Sequence, residues 1–307
     1  MLSDKIKTKS LDLGFSACGI CRAEALTQEA VFVEQWLSCH ANAEMHYLEN
    51  NKEKRYDPRL LIEGTQSIVT VLLNYFPKTI MEHEDNYRIA KYAYGKDYHY
   101  IIKDKLRQLL SFIEKETDCH YPEARAFTDS APVLDRAWAV KAGLGFIGKN
   151  TNLIVPNGGS YYFIGHLMLP IVLETDNAIM TNRCGNCDKC LKACPTHAIE
   201  SPFHLNASKC ISYLTIEHKG DLPNINRNVF NDYILGCDIC QDVCPYNKFA
   251  VPTEETLLQP KEKLMKMRKK DWHDLDNDGF NAIFKNSSAE RAGFKGLKRN
   301  IDFLKNE

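Results

Sequence analysis

Eight of the chain's twelve cysteines lie between Cys184 and Cys244, and their spacing constrains the fold more than any apolar pattern does. The segment CGNCDKCLKACP carries Cys184, Cys187, Cys190 and Cys194, with Pro195 closing it. This is the C-x2-C-x2-C-x3-C-P run, in which three thiolates wrap one 4Fe–4S cubane and the fourth reaches a different cluster. A second cluster is therefore implied. CDICQDVCP repeats the run as Cys237, Cys240, Cys244 and Pro245, with Ile234 in the slot of the missing first cysteine. If each run gives its last thiolate to the other's cluster, Cys184, Cys187, Cys190 and Cys244 hold the first. Cys194, Cys237 and Cys240 then hold the second, and Cys210 in SKCISYL is the cysteine left in the region to complete it. A pair of four-cysteine zinc sites is the alternative, but zinc ribbons require neither the third CxxC step nor the CP endings.

Compartment decides how such cysteines are read. The N-terminus, MLSDKIKTKSLDLGF, has no continuous apolar stretch and no twin arginine, and Ser67 to Phe76 is far shorter than the ~20 residues of a spanning helix. A cytoplasmic, membrane-free protein is expected, where clustered cysteines are metal ligands rather than disulfides. The formal net charge of −1 excludes a generic attraction to polyanions, so any nucleic-acid site must be a local patch. Cys18 and Cys21 form a CxxC pair inside the strand-like stretch LDLGFSACGICRAE and read as buried small hydrophobes. Cys39 and Cys119, beside His40 and His120, receive no role.

Helical periodicity is clear across Ile101, Ile102, Leu106, Leu109, Leu110 and Ile113, and Glu29 to Cys39 also reads as a helix. Strand-like runs occur at Ile68 to Tyr75, Asn152 to Val155 and Tyr161 to Leu169. The fold class expected is α+β: a mixed α/β domain over 1–178, a ferredoxin-like domain with two 4Fe–4S clusters over 179–250, and a short charged helical segment over 251–307. The middle part is too fragmented for a large apolar core, so bound metal must organise it. Clusters carry single electrons, so the first domain should hold the substrate and a second cofactor. Neither G-x-G-x-x-G after a strand nor G-x-x-x-x-G-K-[ST] is present, and the glycines of KAGLGFIGKN have the wrong spacing for either.

RYDPRLLIEG, YGKDYH, DSAPVLDRAWAVKAGLGFIGKN, the first cysteine run, KCISYLTIEHKG and GCDICQDVCP follow one another in that order. Taken together, over residues 1 to about 250, they resemble the epoxyqueuosine reductases. The resemblance implies a cobalamin-dependent enzyme that removes the epoxide oxygen of epoxyqueuosine at the tRNA wobble position, giving queuosine. Cobalamin is expected without a histidine ligand, because Asp97-Tyr98-His99 is followed by Ile102 where the D-x-H-x-x-G loop needs glycine. It further implies a proton donor at Asp129, in FTDSAPVLDR. A desolvated aspartate with a raised pKa would supply the proton that turns an alkoxide into a leaving group.

Cobalamin contacts are implied at Arg55, Ala90, Asp129, Leu153, Ile164, Ser212, Cys237 and Asp238, the guanidinium through an amide or phosphate and the aliphatic residues through backbone groups. Tyr98 and His99 lie in a family signature, as a buried hydrogen-bonded pair or a substrate contact. Many relatives continue into a helical-repeat domain that holds tRNA, and the sequence is expected to keep only its opening helix, ERAGFKGLKRNIDFL. Lys219, Arg291, Lys295, Lys298 and Arg299, with Lys261 to Lys270, would then form a strip for tRNA phosphates. The remaining partner is an electron donor, and the enzyme is expected to be a monomer. The rival readings are a cobalamin-dependent reductive dehalogenase, which normally carries a twin-arginine signal, and an electron carrier with no chemistry of its own.

Overall fold

A central four-stranded sheet organises the first half of the protein in this computed structural model, which describes residues 1–82, 84–176 and 180–305. Its strands run in the order Ala17–Arg22, Ser67–Asn74, Tyr162–Leu169 and Arg125–Phe127, each antiparallel to its neighbour. Every residue of Ser67–Asn74 is buried, which explains why SIVTVLLN reads as a nearly continuous apolar run rather than an alternation. The period of two still sorts its side chains. Val69, Val71 and Leu73 join Ile102, Leu106, Leu109 and Ile113 in one core. Ile68 and Leu72 join Trp138, Ala139, Leu153 and Met168 in another.

The helix Tyr98–Thr117 starts where the Asp97 carboxylate accepts from the His99 N–H and ends at Asp118, whose φ is 51°. Its apolar residues recur at helical spacing and lie on the sheet. Close approach is needed at Gly165, where an added Cβ would stand 2.5 Å from Ile102 Cγ2. Cys18 and Cys21 lie on the Ala17–Arg22 strand, three residues apart and so on opposite faces. Burial pushes their thiols up to about 11 and about 12, in keeping with packing rather than redox use.

The cysteine-bearing region has the small apolar cluster expected of it, around Ile211, Leu214, Phe230 and Tyr233. It is fastened to the end of the sheet by polar contacts. Gln241 donates to Tyr75 Oη and to the Ser160 carbonyl, Asn150 donates to the Cys240 carbonyl, and Lys149 donates to the Gly185 and Cys187 carbonyls.

The C-terminal segment departs from the expectation of a charged appendage. The helices Lys269–His273, Asn277–Phe284 and Gly293–Lys305 bury Trp272, Phe280, Ile283, Phe284, Leu297 and Ile301 against Met81, Tyr87, Ile89, Ile234 and Leu235. The short strand Tyr233–Leu235 pairs in parallel with Arg88–Ile89 inside this second core. Charge dominates the composition only because the outward faces are charged; the inward faces recur at helical spacing. Met81 and residues 87–94 therefore pack with the far end of the chain, so the division at 251 does not separate independent cores. The expected boundary between 178 and 179 lies outside the described residues. Among the described residues no helix is long and apolar enough to cross a membrane.

Because Phe284 is 1% exposed at the centre of this second core, Phe284→Ala should lower stability by about 3–5 kcal/mol. The urea midpoint of the cluster-loaded protein measures this; an unmoved midpoint would mean that the C-terminal helices are not integral.

Candidate active site

Proline shapes both cysteine runs. Cys194 and Cys244 each precede one, and both are extended, with ψ of 108° and 125°, because a residue before proline is excluded from the helical region. The one-turn helices Lys189–Ala193 and Ile239–Asp242 carry Cys190 and Cys240. The extended residue at the end of each run turns its thiol away from its own helix. Cys184, Cys187, Cys190 and Cys244 line one cavity of about 370 Å³ together with Tyr246 and Phe249. The other four sit near enough to act on one another's charge: burial raises the Cys237 thiol, and Cys210 and Cys194 add to it. Cys240 is pushed well up by burial, then by Cys237, Cys210, Cys194 and Cys190. Its response to Cys190 places the two quartets side by side.

Two groups of four thiols that would repel one another when ionised suit a cationic iron–sulfur core. Ile234, in the vacant cysteine slot, is fully buried in the second core. Cys210 heads the helix Ile211–Ile216 instead.

Asp129 follows the strand Arg125–Phe127 in a left-handed turn, φ 55°. Its Oδ2 accepts from Tyr98 Oη at 2.7 Å and faces His99 Nε2 at 3.6 Å. His99 Nδ1 lies 2.6 Å from Asp97 Oδ1, and Tyr98 is stacked between His99 and Phe163. The side chain of Asp129 is 68% accessible, open to solvent on one side of a protein-lined recess. The His99 imidazole holds its carboxyl below the usual range against desolvation, with Tyr98 and the more distant Arg291 assisting. Burial disfavours the charged imidazole, yet Asp129 and Asp97 together raise His99 to about 9. This corrects the expected raised pKa at Asp129: paired neighbours outweigh burial, and the proton rests on His99.

Around this pair stand Asp135 and Tyr92, which the sequence did not single out, and Arg291, which it marked only as a phosphate contact. Asp135 Oδ1 accepts from the Asp129 N–H at 3.4 Å and lies 3.2 Å from Nε2 of the fully buried His166, so it props the loop. Arg291 grips Glu217 in a two-pronged pair at 2.9 and 2.8 Å and lies over the Tyr47 ring. Tyr92 lies within reach of the charges of Asp238, Asp129, Glu217 and Arg291, and Gly236, just ahead of Cys237, approaches its ring. No local pattern marks these residues, because they gather only through long-range packing.

Several of the expected cobalamin contacts lie near the Asp129 loop or the second cysteine run. Arg55 is 7% exposed with its Nε buried and without a partner among the described residues, and it senses Asp135 and Tyr47. Such an orphaned donor fits a bound amide or phosphate. Ala90 donates its N–H to the Leu235 carbonyl, and Gly236, φ +68°, approaches it so closely that a Cβ would stand 2.5 Å from the Ala90 Cβ. Cys237 and Asp238 follow directly. Asp238 accepts from the Lys91 N–H at 2.8 Å and lies 3.3 Å from Lys91 Nζ. Leu153 is buried, Ser212 is half-buried, and the Ile164 carbonyl accepts from Thr128 just ahead of Asp129.

The sequence family described as "Epoxyqueuosine reductase QueG, DUF1730" matches residues 55–130, and "4Fe-4S double cluster binding domain" matches 183–247. The epoxyqueuosine reductase of Cellulophaga algicola is 48% identical over 303 residues, 99% of this chain and 98% of that protein. This chain belongs to the epoxyqueuosine reductase family. The Leadbetterella byssophila member is 47% identical with the same coverage. Among solved structures, the Bacillus subtilis epoxyqueuosine reductase, with a catalytic aspartate loop swung out of its active site, superposes with a TM-score of 0.87 at 30% identity over 99% of this chain and 80% of that one. An epoxyqueuosine reductase bound to an epoxyqueuosine-modified tRNA stem loop gives 0.84 at 30% identity, with the same coverage.

Three of the five expected phosphate-binding cations donate to backbone carbonyls. Arg299 donates to the His218, Gly220 and Leu214 carbonyls, Lys298 to the His273 carbonyl, and Lys219 to the Ile216 and Arg291 carbonyls. Lys261 caps Ile283 and Lys285 in the same way. These cations satisfy helix ends. Arg291 contributes charge at Asp129, and of the five Lys219 and Lys295 are exposed and without an ion-pair partner among the described residues.

His99 should titrate near pH 9, followed by NMR of its imidazole, and Asp129→Asn should move that value down. Because its folded pKa is raised above the ordinary 6.5, the pair's contribution to stability is full below about pH 6.5 and is lost as pH rises through about 9. An imidazole titrating at its ordinary value in the folded protein would contradict the geometry.

Proposed function

We propose that the protein reduces epoxyqueuosine in tRNA to queuosine, with electrons entering at the cysteine quartets and protons supplied from the Tyr98, His99 and Asp129 constellation. The observation that carries this reading is the Asp129 carboxylate bonded to Tyr98 and facing His99, in a chain whose second cysteine run is held against Ala90 and Tyr92 through Gly236. Overall, the epoxide takes up two electrons and two protons, its oxygen leaves as water, and a carbon–carbon double bond remains.

Cys184, Cys187, Cys190 and Cys244 would hold one 4Fe–4S cluster, and Cys194, Cys210, Cys237 and Cys240 the other. Cobalamin, when bound, would supply low-potential electrons or a nucleophilic cobalt. This chain's part is to seat it: Arg55 would bind an amide or the phosphate, Ala90, Leu153 and Ile164 would present backbone and apolar surface, and Ser212, Cys237 and Asp238 would approach from the cluster side. The opened epoxide leaves an alkoxide that departs only when protonated. Asp129 stands where it can pass on a proton that His99 Nε2 holds, while Asp97 and the stacked Tyr98 fix the imidazole. The loop carrying Asp129 follows a short edge strand, and the swung-out catalytic loop of the Bacillus subtilis relative supports a mobile aspartate here. Arg291 and Lys295 remain as contacts for tRNA.

The direct experiment incubates cluster- and cobalamin-loaded protein with a strong reductant and epoxyqueuosine-containing tRNA, then analyses nucleosides by mass spectrometry for loss of one oxygen. Turnover without that loss would refute the assignment. Asp129→Asn should reduce kcat by about 10²–10⁴-fold with clusters and cobalamin retained. His99→Gln should shift the alkaline limb of the pH–rate profile, expected near the His99 value, to lower pH, which a purely structural histidine would not do. Cys210→Ser should lose about half the iron and one of two cluster signals in electron paramagnetic resonance; full iron content would remove Cys210 from the ligand set.

A further inference from the structure

The cavity framed by Cys184, Cys187, Cys190 and Cys244 has four cations in its wall and no carboxylate: Lys149, Arg183, Lys189 and Lys248. Lys149 is turned inward to the Gly185 and Cys187 carbonyls. Arg183, Lys189 and Lys248 are exposed, and none has an ion-pair partner among the described residues. The nearest acid, Asp188, is already matched by Lys192 at 2.8 Å. Phe249 is 41% exposed beside Lys248, whose ammonium lies 4.7 Å from its ring centre. A near-neutral chain thus gathers unpaired positive charge and an exposed aromatic ring around one feature, the outer thiolate quartet. The first quartet opens on this cavity, whereas Cys237 and Cys240 of the second flank the buried Asp238.

We infer that this rim is the docking surface for a small, acidic one-electron carrier protein, which delivers electrons to the outer cluster. The inference rests on the reading of these cysteines as cluster ligands. Each docking event moves one electron: the reduced carrier is oxidised by one electron and the outer cluster is reduced by one, so two events serve each epoxide removed. Unpaired cations around a redox centre raise the encounter rate of an acidic partner and orient it, while an exposed aromatic adds the small apolar contact typical of transient redox complexes. A tRNA phosphate is the other anion that such a rim would attract. The cations surround the thiolates rather than the Asp129 recess, and this favours the electron carrier.

Stopped-flow mixing of the oxidised, anaerobic holoenzyme with reduced flavodoxin, and separately with a reduced plant-type [2Fe–2S] ferredoxin, follows bleaching of the cluster absorption. With at least one carrier the wild-type rate constant should be high at low salt and fall as salt rises. Lys189→Glu combined with Lys248→Glu should lower it by about tenfold or more and flatten its salt dependence. Lys115→Glu, a reversal at an exposed position outside the cavity, should change neither. Iron and sulfide content, and photoreduction by neutral deazaflavin, should match the wild type in all variants. Loss of the iron would instead count against the cluster reading. With clusters intact, the docking proposal is overturned if neither carrier reduces the wild type, if the rates ignore both salt and the double reversal, or if the reversal weakens tRNA binding and leaves carrier rates unchanged.

Discussion

A buried charge holds the parts of this protein in register. Lys91 is 7% exposed, and its ammonium lies 2.6 Å from Asp242 and 3.3 Å from Asp238, itself 2% exposed. Asp242 also accepts from Tyr161 Oη at the end of the sheet. One lysine thus ties the segment that pairs with Tyr233–Leu235, the second cysteine run and the central sheet. Leaving a buried charge without its partner typically costs 3–5 kcal/mol, so the three parts have little freedom to part. That rigidity matters because Cys237 and Cys240 flank Asp238, and the approach of Gly236 to Ala90 sets how near the second cysteine run comes to Tyr92.

The chemistry of the recess follows from which neighbour wins at Asp129. Desolvation raises its pKa, but a tyrosine hydroxyl and a histidine held between two carboxylates act in the opposite sense. The result is a carboxylate beside a protonated imidazole, with Asp97 keeping Nδ1 occupied and Nε2 turned to Asp129. Such a pair stores a proton near neutral pH without an isolated buried acid, and it leaves the aspartate on a left-handed turn that is exposed enough to move.

The C-terminal helices show how charge can mislead. Their lysines and arginines suggested a polyanion surface, yet Arg299, Lys298, Lys219 and Lys261 end on backbone carbonyls, where a cation meets the negative end of a helix or turn. Asn300, 1% exposed, donates to the Thr215 and Ile234 carbonyls, so this segment also braces the loop before the second cysteine run. Unpaired cations also gather at the outer quartet.

What the amino-acid order determined by itself was local: the eight cysteines and their two prolines, because ligand spacing and the pre-proline restriction act within a few residues; the main strands and the long helix, because period survives in sequence; and the family, through motifs read in order. Asp129 was legible as a position and not as a state. Only the tertiary structure decided its protonation, the companions Tyr47, Tyr92, Asp135, Glu217 and Arg291, the second core shared by Met81, residues 87–94 and the C-terminal helices, and the grouping of cations at the outer quartet. Those are sums over neighbours distant in the chain, and electrostatics and packing depend on distance in space.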